Sequence, residues 1–170
     1  MTTIGFVGLG TMGAHMAANI QKAGHRLVVH DMRRAAAERV LAGGAEWAES
    51  PKDVAARSDV VFLSLPGPPE VEQVVLNSNS GILAGAHPGM ALFDLSTDSP
   101  AMVRKFHAAL AEKGCEAFDA PVSGGPEGAR TGKLAIWCGG DRATYDRCKP
   151  ILDSFGDQAA YIGPIGTATV

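Results

Sequence analysis

The chain reads as an α/β protein built on a doubly wound, mostly parallel sheet, and three observations predict it. Short apolar runs alternate with helix-patterned segments from end to end, which argues for parallel strands with helices on both faces. The first apolar run, Ile4 to Val7, leads into Gly8-Leu9-Gly10-Thr11-Met12-Gly13, a G-x-G-x-x-G spacing between a strand pattern and a helix pattern. A second run, Leu27 to His30, ends on Asp31, 18 residues beyond Gly13. That is close to the interval at which a Rossmann-like sheet carries the acid for an adenine ribose.

Each glycine of the first turn has its own physical job. Gly8 permits the tight strand-to-helix turn, Gly10 leaves a pyrophosphate free to approach the backbone, and Gly13 lets the helix pack close to the strand. The helix, with Met12, Met16, Ile20 and Ala23 along one face, aims its N-terminal N–H groups and dipole at the phosphates. Among 21 glycines the spacing alone is weak evidence. The preceding strand, the following helix and the acid beyond supply the context. The expected cofactor contacts are therefore Gly8, Leu9, Gly10, Thr11, Met12, Gly13, Asp31, Met32 and Arg33. A carboxylate at Asp31 accepts the free ribose 2′-hydroxyl and repels a 2′-phosphate, so NAD is preferred. Arg33 and Arg34 just past the strand could pair with that phosphate and leave NADP open.

The remaining elements follow in order. Arg33 to Leu41 suits a helix ending at Gly43-Gly44, and Ser50-Pro51 is an N-cap and first-turn proline opening a short helix to about Arg57. Val60 to Leu65 is a buried strand stopping at Pro66. The Pro66–Pro69 run is a loop at its carboxyl end, the edge where ligands sit in open parallel sheets. Glu70 to Leu76 is a helix followed by a polar turn, Asn77 to Gly81. Met90 to Leu95 is another strand. Ser99-Pro100 then caps a helix with Met102, Val103, Phe106 and Leu110 on one face. Cys115 to Asp119 and Leu134 to Cys138 are strands. Arg142 to Phe155 is a helix burying Tyr145, Cys148, Leu152 and Phe155, and Tyr161-Ile162 is a short final strand.

Composition narrows the function classes. At 170 residues, 46% hydrophobic and 19% charged, the chain suits one ordinary globular domain. A formal net charge of −3 gives no electrostatic reason to expect nucleic acid or an anionic membrane. Cys115, Cys138 and Cys148 lack metal or redox spacing and read as buried thiols in a reducing compartment. The five histidines show no ligand spacing, so no metal is expected. No basic-then-apolar leader and no membrane-length apolar run are seen, which makes the cytoplasm the default.

Ser123-Gly124-Gly125 is the second informative stretch. A serine and two glycines after a strand end offer N–H groups and a hydroxyl to an anion, and a substrate carboxylate is the natural guest. A plain turn fits the spacing as well. Hydride exchange with an alcohol also needs a group to move the hydroxyl proton. Lys105 and Lys133 qualify only by residue type, and each reads more simply as a surface lysine.

Four stretches carry a family resemblance: Phe6 to Asn19 with its closing Met-Ala-x-Asn, Leu65-Pro66, Ser96-Thr97, and Asp119-Ala-Pro-Val-Ser-Gly-Gly-Pro-Glu-Gly-Ala129. Together they resemble the β-hydroxyacid dehydrogenase family, the group of 3-hydroxyisobutyrate dehydrogenase and tartronate semialdehyde reductase. The resemblance implies that Leu65, Pro66 and the Ser96-Thr97 pair contact the cofactor, and that Ser123, Gly124 and Gly125 hold the carboxylate of a small hydroxyacid or semialdehyde. Gly163-x-x-Gly166-Thr167-Ala168 resembles the start of the family's G-x-x-G-x-G-x-x-x-K motif, with Ala168 replacing its last glycine. The motif's catalytic lysine would fall two positions beyond Val170. Residues 1–162 would then form the NAD-binding domain, and 163–170 the start of a connection to an all-helical second domain absent from this chain. In the family that second domain builds a homo-oligomer, and the 170 residues alone would be inactive. Kinship to 6-phosphogluconate dehydrogenase is visible but less close. Imine reductases, which lack the lysine, and a non-catalytic dinucleotide-binding module are the alternatives.

Overall fold

The computed structural model describes residues 2–169, so Met1 and Val170 lie outside the described residues. Six parallel strands form the body of one sheet: β1 (Thr3–Val7), β2 (Arg26–His30), β3 (Glu46–Trp47), β4 (Val60–Leu63), β5 (Ala91–Asp94) and β6 (Glu116–Asp119). Their spatial order is β3-β2-β1-β4-β5-β6. The chain therefore winds outward from β1 in both directions, and the β1/β4 boundary is the switch point where a crevice opens at the carboxyl edge. Beyond β6 lie β7 (Val122–Ser123), β8 (Leu134–Gly139) and β9 (Gly156–Gly163), with β8 antiparallel to β6 and β7 and parallel to β9.

Eight helices among the described residues cross between the strands: α1 (Thr11–Lys22), α2 (Glu38–Ala42), α3 (Pro51–Ala56), α4 (Pro68–Leu76), α5 (Ile82–Gly85), α6 (Pro100–Ala111), α7 (Gly125–Thr131) and α8 (Arg142–Leu152). Successive strand residues point to opposite faces, which splits the apolar residues into two cores. Val60 and Phe62 of β4 join one with Ile4, Phe6, Met16 and Ile20. Val61 and Leu63 join the other with Val7, Val54, Phe106 and Leu110. Phe6, Phe62, Phe93 and Phe118 sit in register across β1, β4, β5 and β6. Neighbouring rings stack at 6.2, 5.3 and 4.2 Å, and Phe155 meets Phe62 edge-on at 5.5 Å. Burial of each ring contributes about 1.5–3 kcal/mol, so this row ties β1 to β6.

Several boundaries differ from the sequence expectation for local reasons. The strand expected over 60–65 ends at Leu63, and the Leu65 N–H leaves the ladder for the Ser96 hydroxyl at 2.8 Å. Pro68 and Pro69 are not loop but the first turn of α4, where a missing N–H costs nothing. The expected 33–41 helix splits into a 3-10 turn, Arg34–Ala37, and α2. Ala23 is the exposed C-cap of α1 rather than part of its buried face. The final strand is eight residues long, not two, and α8 ends at Leu152 although Phe155 is buried as expected. The caps at Ser50 and Ser99 are present, their hydroxyls accepting the N–H of Asp53 and Met102 at 3.2 Å each.

Candidate functional site

The β1–α1 turn is closed by contacts only glycine permits. Gly8 has φ +97°, and a Cβ there would collide with the Ser64 carbonyl oxygen. A Cβ at Gly13 would collide with the carbonyl oxygen of Gly8, so α1 can lie against the turn only while residue 13 lacks a side chain. Gly10 is the reverse case: a Cβ there would meet nothing within 4 Å. Its emptiness is open space at the start of α1, where no side chain caps the first-turn amides.

Asp31, at the tip of β2, is held on both oxygens. Oδ2 accepts the Leu9 N–H at 2.7 Å and Oδ1 accepts the Arg33 N–H at 2.9 Å. The Leu9 side chain itself is buried in the core, so the structure places Leu9 behind the turn and not on the surface of the cleft. Met32 stands 98% exposed beside Asp31. The Arg34 guanidinium lies 5.1 Å from the Trp47 ring centroid, a cation–π contact, and His30 packs on the same ring.

A cleft of about 950 Å³ opens over this turn. One wall carries Gly8, Gly10, Thr11, Met12, Gly13, Asp31, Met32 and Arg33. The other carries Leu65 and Pro66 at the end of β4 together with Glu70, Gln73 and Val74 of α4. Leu65 is fixed by its N–H, which donates to the Ser96 hydroxyl at 2.8 Å. Thr97 is exposed on the adjoining loop and does not line the cleft. Behind that loop, burial and then the neighbouring Asp98 carboxyl push Asp94 well above the usual carboxylate range.

The serine-diglycine corner follows β6. Asp119 ends that strand, Ala120 and Pro121 carry the chain past the carboxyl edge, and β7 presents Ser123 exposed. Gly124 and Gly125 have φ +138° and +63°, a turn into α7 that L side chains rarely adopt. Since β1 and β6 belong to the same parallel run, both corners leave the same edge of the sheet. The amide of Asn19 in α1 donates to the Ala129 carbonyl at 2.7 Å and fastens α1 to α7. Ser123, Gly124 and Gly125 nevertheless stand outside the lining of the large cleft.

Two residues of the quoted stretches, Asp119 and Ser96, make bonds that the sequence does not suggest. Asp119 is 1% exposed, yet its oxygens accept the N–H groups of Gly166, Ala168 and Thr169 at 2.8–2.9 Å and the Thr169 hydroxyl at 2.7 Å. One buried carboxylate thus anchors the segment that follows β9. Ser96 likewise bridges two loops. The signal in the chain was an Asp closing each of two apolar strands, at 94 and 119. Neither candidate lysine enters the cleft: Lys105 pairs with Glu72 at 3.2 Å, and Lys133 is exposed at the start of β8. The three cysteines are buried and free, and burial pushes the Cys138 thiol up to about 12. Among the described residues, no three His, Cys, Asp or Glu side chains converge as metal ligands, and no helix is long and apolar enough to cross a membrane.

A glycine turn with open space at its second glycine, a carboxylate fixed at the tip of β2 and a crevice at the switch point define a dinucleotide-binding domain. Residues 3–163 match the family described as the NAD binding domain of 6-phosphogluconate dehydrogenase. The chain belongs to that family. It is 40% identical to the NAD-dependent L-serine dehydrogenase of Pseudomonas aeruginosa, over 100% of this chain and 57% of that one. It is 39% identical to the 2-hydroxy-3-oxopropionate reductase of Escherichia coli, over 96% and 55%. The 3-hydroxyisobutyrate dehydrogenase of Mycobacterium tuberculosis, solved with L-serine, superposes with a TM-score of 0.91 at 37% identity, covering 99% of this chain and 57% of that one. The chain thus spans about half the length of the curated relatives it matches.

Proposed function

We propose that this chain is the nucleotide-binding half of an enzyme that moves a hydride between NAD and the β-hydroxyl of a small hydroxyacid, giving a semialdehyde. The observation that carries the reading is the pairing of open space at Gly10 with the fixed Asp31 carboxylate on one wall of the cleft. Bound NAD would supply the hydride acceptor. Gly8, Gly10, Thr11, Met12 and Gly13 would receive its pyrophosphate on main chain, and Asp31 would accept the adenine ribose hydroxyls. Met32 and Arg33 would flank the adenosine. Leu65, Pro66 and Thr97 would shield the nicotinamide half. Ser123, Gly124 and Gly125 would orient the acid through its carboxylate. The relatives' names support the acid class, since L-serine and 3-hydroxyisobutyrate each carry a carboxylate carbon two bonds from a hydroxyl-bearing carbon.

Residues 1–162 would be the NAD-binding unit, and 163–170 the opening of a connection to a helical second unit that carries the proton-transferring lysine and the oligomer interface. The Asp119 anchor supports this division, because it fixes Gly166 to Thr169 beside the substrate corner. The test is calorimetric titration of the 170-residue chain with NAD and NADP, paired with a hydroxyacid panel on the complete protein. Tight NAD binding by the chain and turnover only by the complete protein are expected. Turnover of no β-hydroxyacid by the complete protein would favour the imine reductase or scaffold alternatives.

A further inference from the structure

The carboxyl end of β5 holds two acids to which the dinucleotide reading gives no role. Asp94 is 1% exposed, and its Oδ1 accepts the Ser96 N–H at 3.0 Å. Asp98, four residues on, turns back to within hydrogen-bonding reach of Asp94, while its own Oδ1 accepts the Ser99 N–H at 2.8 Å. The Oδ2 atom of each is buried and, among the described residues, receives no N–H or O–H.

The surroundings supply no counter-charge. On the flanking strands the register partners of Asp94 are Leu63 and Asp119, and the Asp119 carboxylate is already saturated by the segment at 166–169. Lys105 of α6 is engaged with Glu72 of α4 at the surface. The groups acting on Asp94 are Ser96 and Asp98, neither of them a cation. Two carboxylates this close in a buried place cannot both ionise, and a buried oxygen without a donor is costly. A single proton shared by the two carboxyls relieves both problems.

We propose that Asp94 and Asp98 share one proton and act as positioning residues, holding the Ser96–Thr97 turn closed against Leu65 on the wall of the dinucleotide cleft. Asp94 fixes the Ser96 N–H, Ser96 Oγ receives the Leu65 N–H, and Leu65 lines the cleft, so the chain of contacts is continuous. The raised titration of Asp94 agrees with this arrangement. Loss of the shared proton leaves two like charges facing each other, and Asp98, on the loop, is the partner free to withdraw. The turn then releases Leu65. The inference rests on the reading that the cleft takes NAD.

The test follows the carboxyl carbons of Asp94 and Asp98 by ¹³C NMR, and NAD affinity by calorimetry, from pH 6 to 9.5 in the wild-type chain and in Asp98→Asn. In the wild type one carboxyl should stay protonated at pH 7. NAD affinity should fall by about tenfold, the equivalent of one unit of coupling, around the same midpoint. The side-chain amide introduced by Asp98→Asn donates a permanent N–H to Asp94, so the variant's affinity should change by less than about twofold over the titration. Ordinary acidic titration of both carboxyls would overturn the shared proton. An affinity that ignores the carbon midpoint, or a fall that persists in Asp98→Asn, would overturn the positioning role. Absence of NAD binding at every pH would overturn the cofactor reading and the positioning role with it, while the carbon titration would still decide the shared proton.

Discussion

The carboxylate of Asp31 accepts the backbone N–H of Leu9 at 2.7 Å across 22 residues of sequence. One side chain thus closes the glycine turn from the neighbouring strand, and on the proposed reading it would also accept the ribose hydroxyls of bound NAD. Removing it should weaken both fold and binding. Asp31→Ala is expected to cost about 1–3 kcal/mol of stability, since the Leu9 and Arg33 amides lose their acceptor. Urea denaturation checks this, and an unchanged midpoint would show the two bonds to be without consequence.

Cofactor choice should turn on the same corner. Asp31→Ser keeps an oxygen for the Leu9 amide and removes the charge that repels a 2′-phosphate, leaving Arg33 beside it on the cleft wall. The ratio of NADP to NAD affinity should rise about tenfold or more, the scale of one ion-pair rearrangement. Calorimetry with both cofactors reads it directly, and a ratio that stays put would mean that other groups select the cofactor.

Gly13 is expected to be a folding residue. Gly13→Ala puts a methyl group into the Gly8 carbonyl, and forcing α1 off the turn should cost about 1–3 kcal/mol. A thermal melt of the variant is the check. A melting temperature equal to the wild type would mean that α1 slides away freely.

Stability should carry a pH signature from the Asp94–Asp98 pair. Asp94 has its folded pKa raised, so the native state keeps a proton that the unfolded chain releases at about pH 3.9. Its stabilisation is complete below that value and declines as pH rises toward the folded pKa, by at most about 1.4 kcal/mol per pH unit. Glu46, Glu127 and Asp141 are shifted downward and act in the opposite sense in the acid range, but they lie at the surface. The difference between wild type and Asp98→Asn isolates the pair. Urea melts at pH 5 and 8 should show a steeper decline in the wild type, and parallel declines would remove the shared proton from the account.

Much of this molecule was legible in the chain because its signals are local. The glycine turn and the Ser50 and Ser99 caps depend on residues within a few positions of each other, and Asp31 on one fixed interval from the turn; each is present in the structure. What escaped depends on contacts far apart in sequence. Glu46-Trp47 has no strand periodicity of its own and becomes β3 only because β2 offers it a partner. Asp119 looked like the end of a strand, and only its partners 47 to 50 residues away reveal an anchor. Thr97 and the Ser123 corner follow the carboxyl ends of the parallel strands β5 and β6, but no local pattern marks that the large cleft leaves both outside its lining.

The most direct measurement of the central claim is calorimetric titration of NAD into the wild-type chain and into Gly10→Ala, each with its melting temperature. A methyl group at Gly10 meets no neighbouring atom, so the variant should fold as stably as the wild type to within about 1 kcal/mol, the scale of a change at a helix N-cap. If a pyrophosphate lies against that main chain, the wild type should bind one NAD and the variant should bind it at least about tenfold more weakly, for loss of close backbone approach. Equal affinity in the two proteins, with both fully folded, would contradict the account.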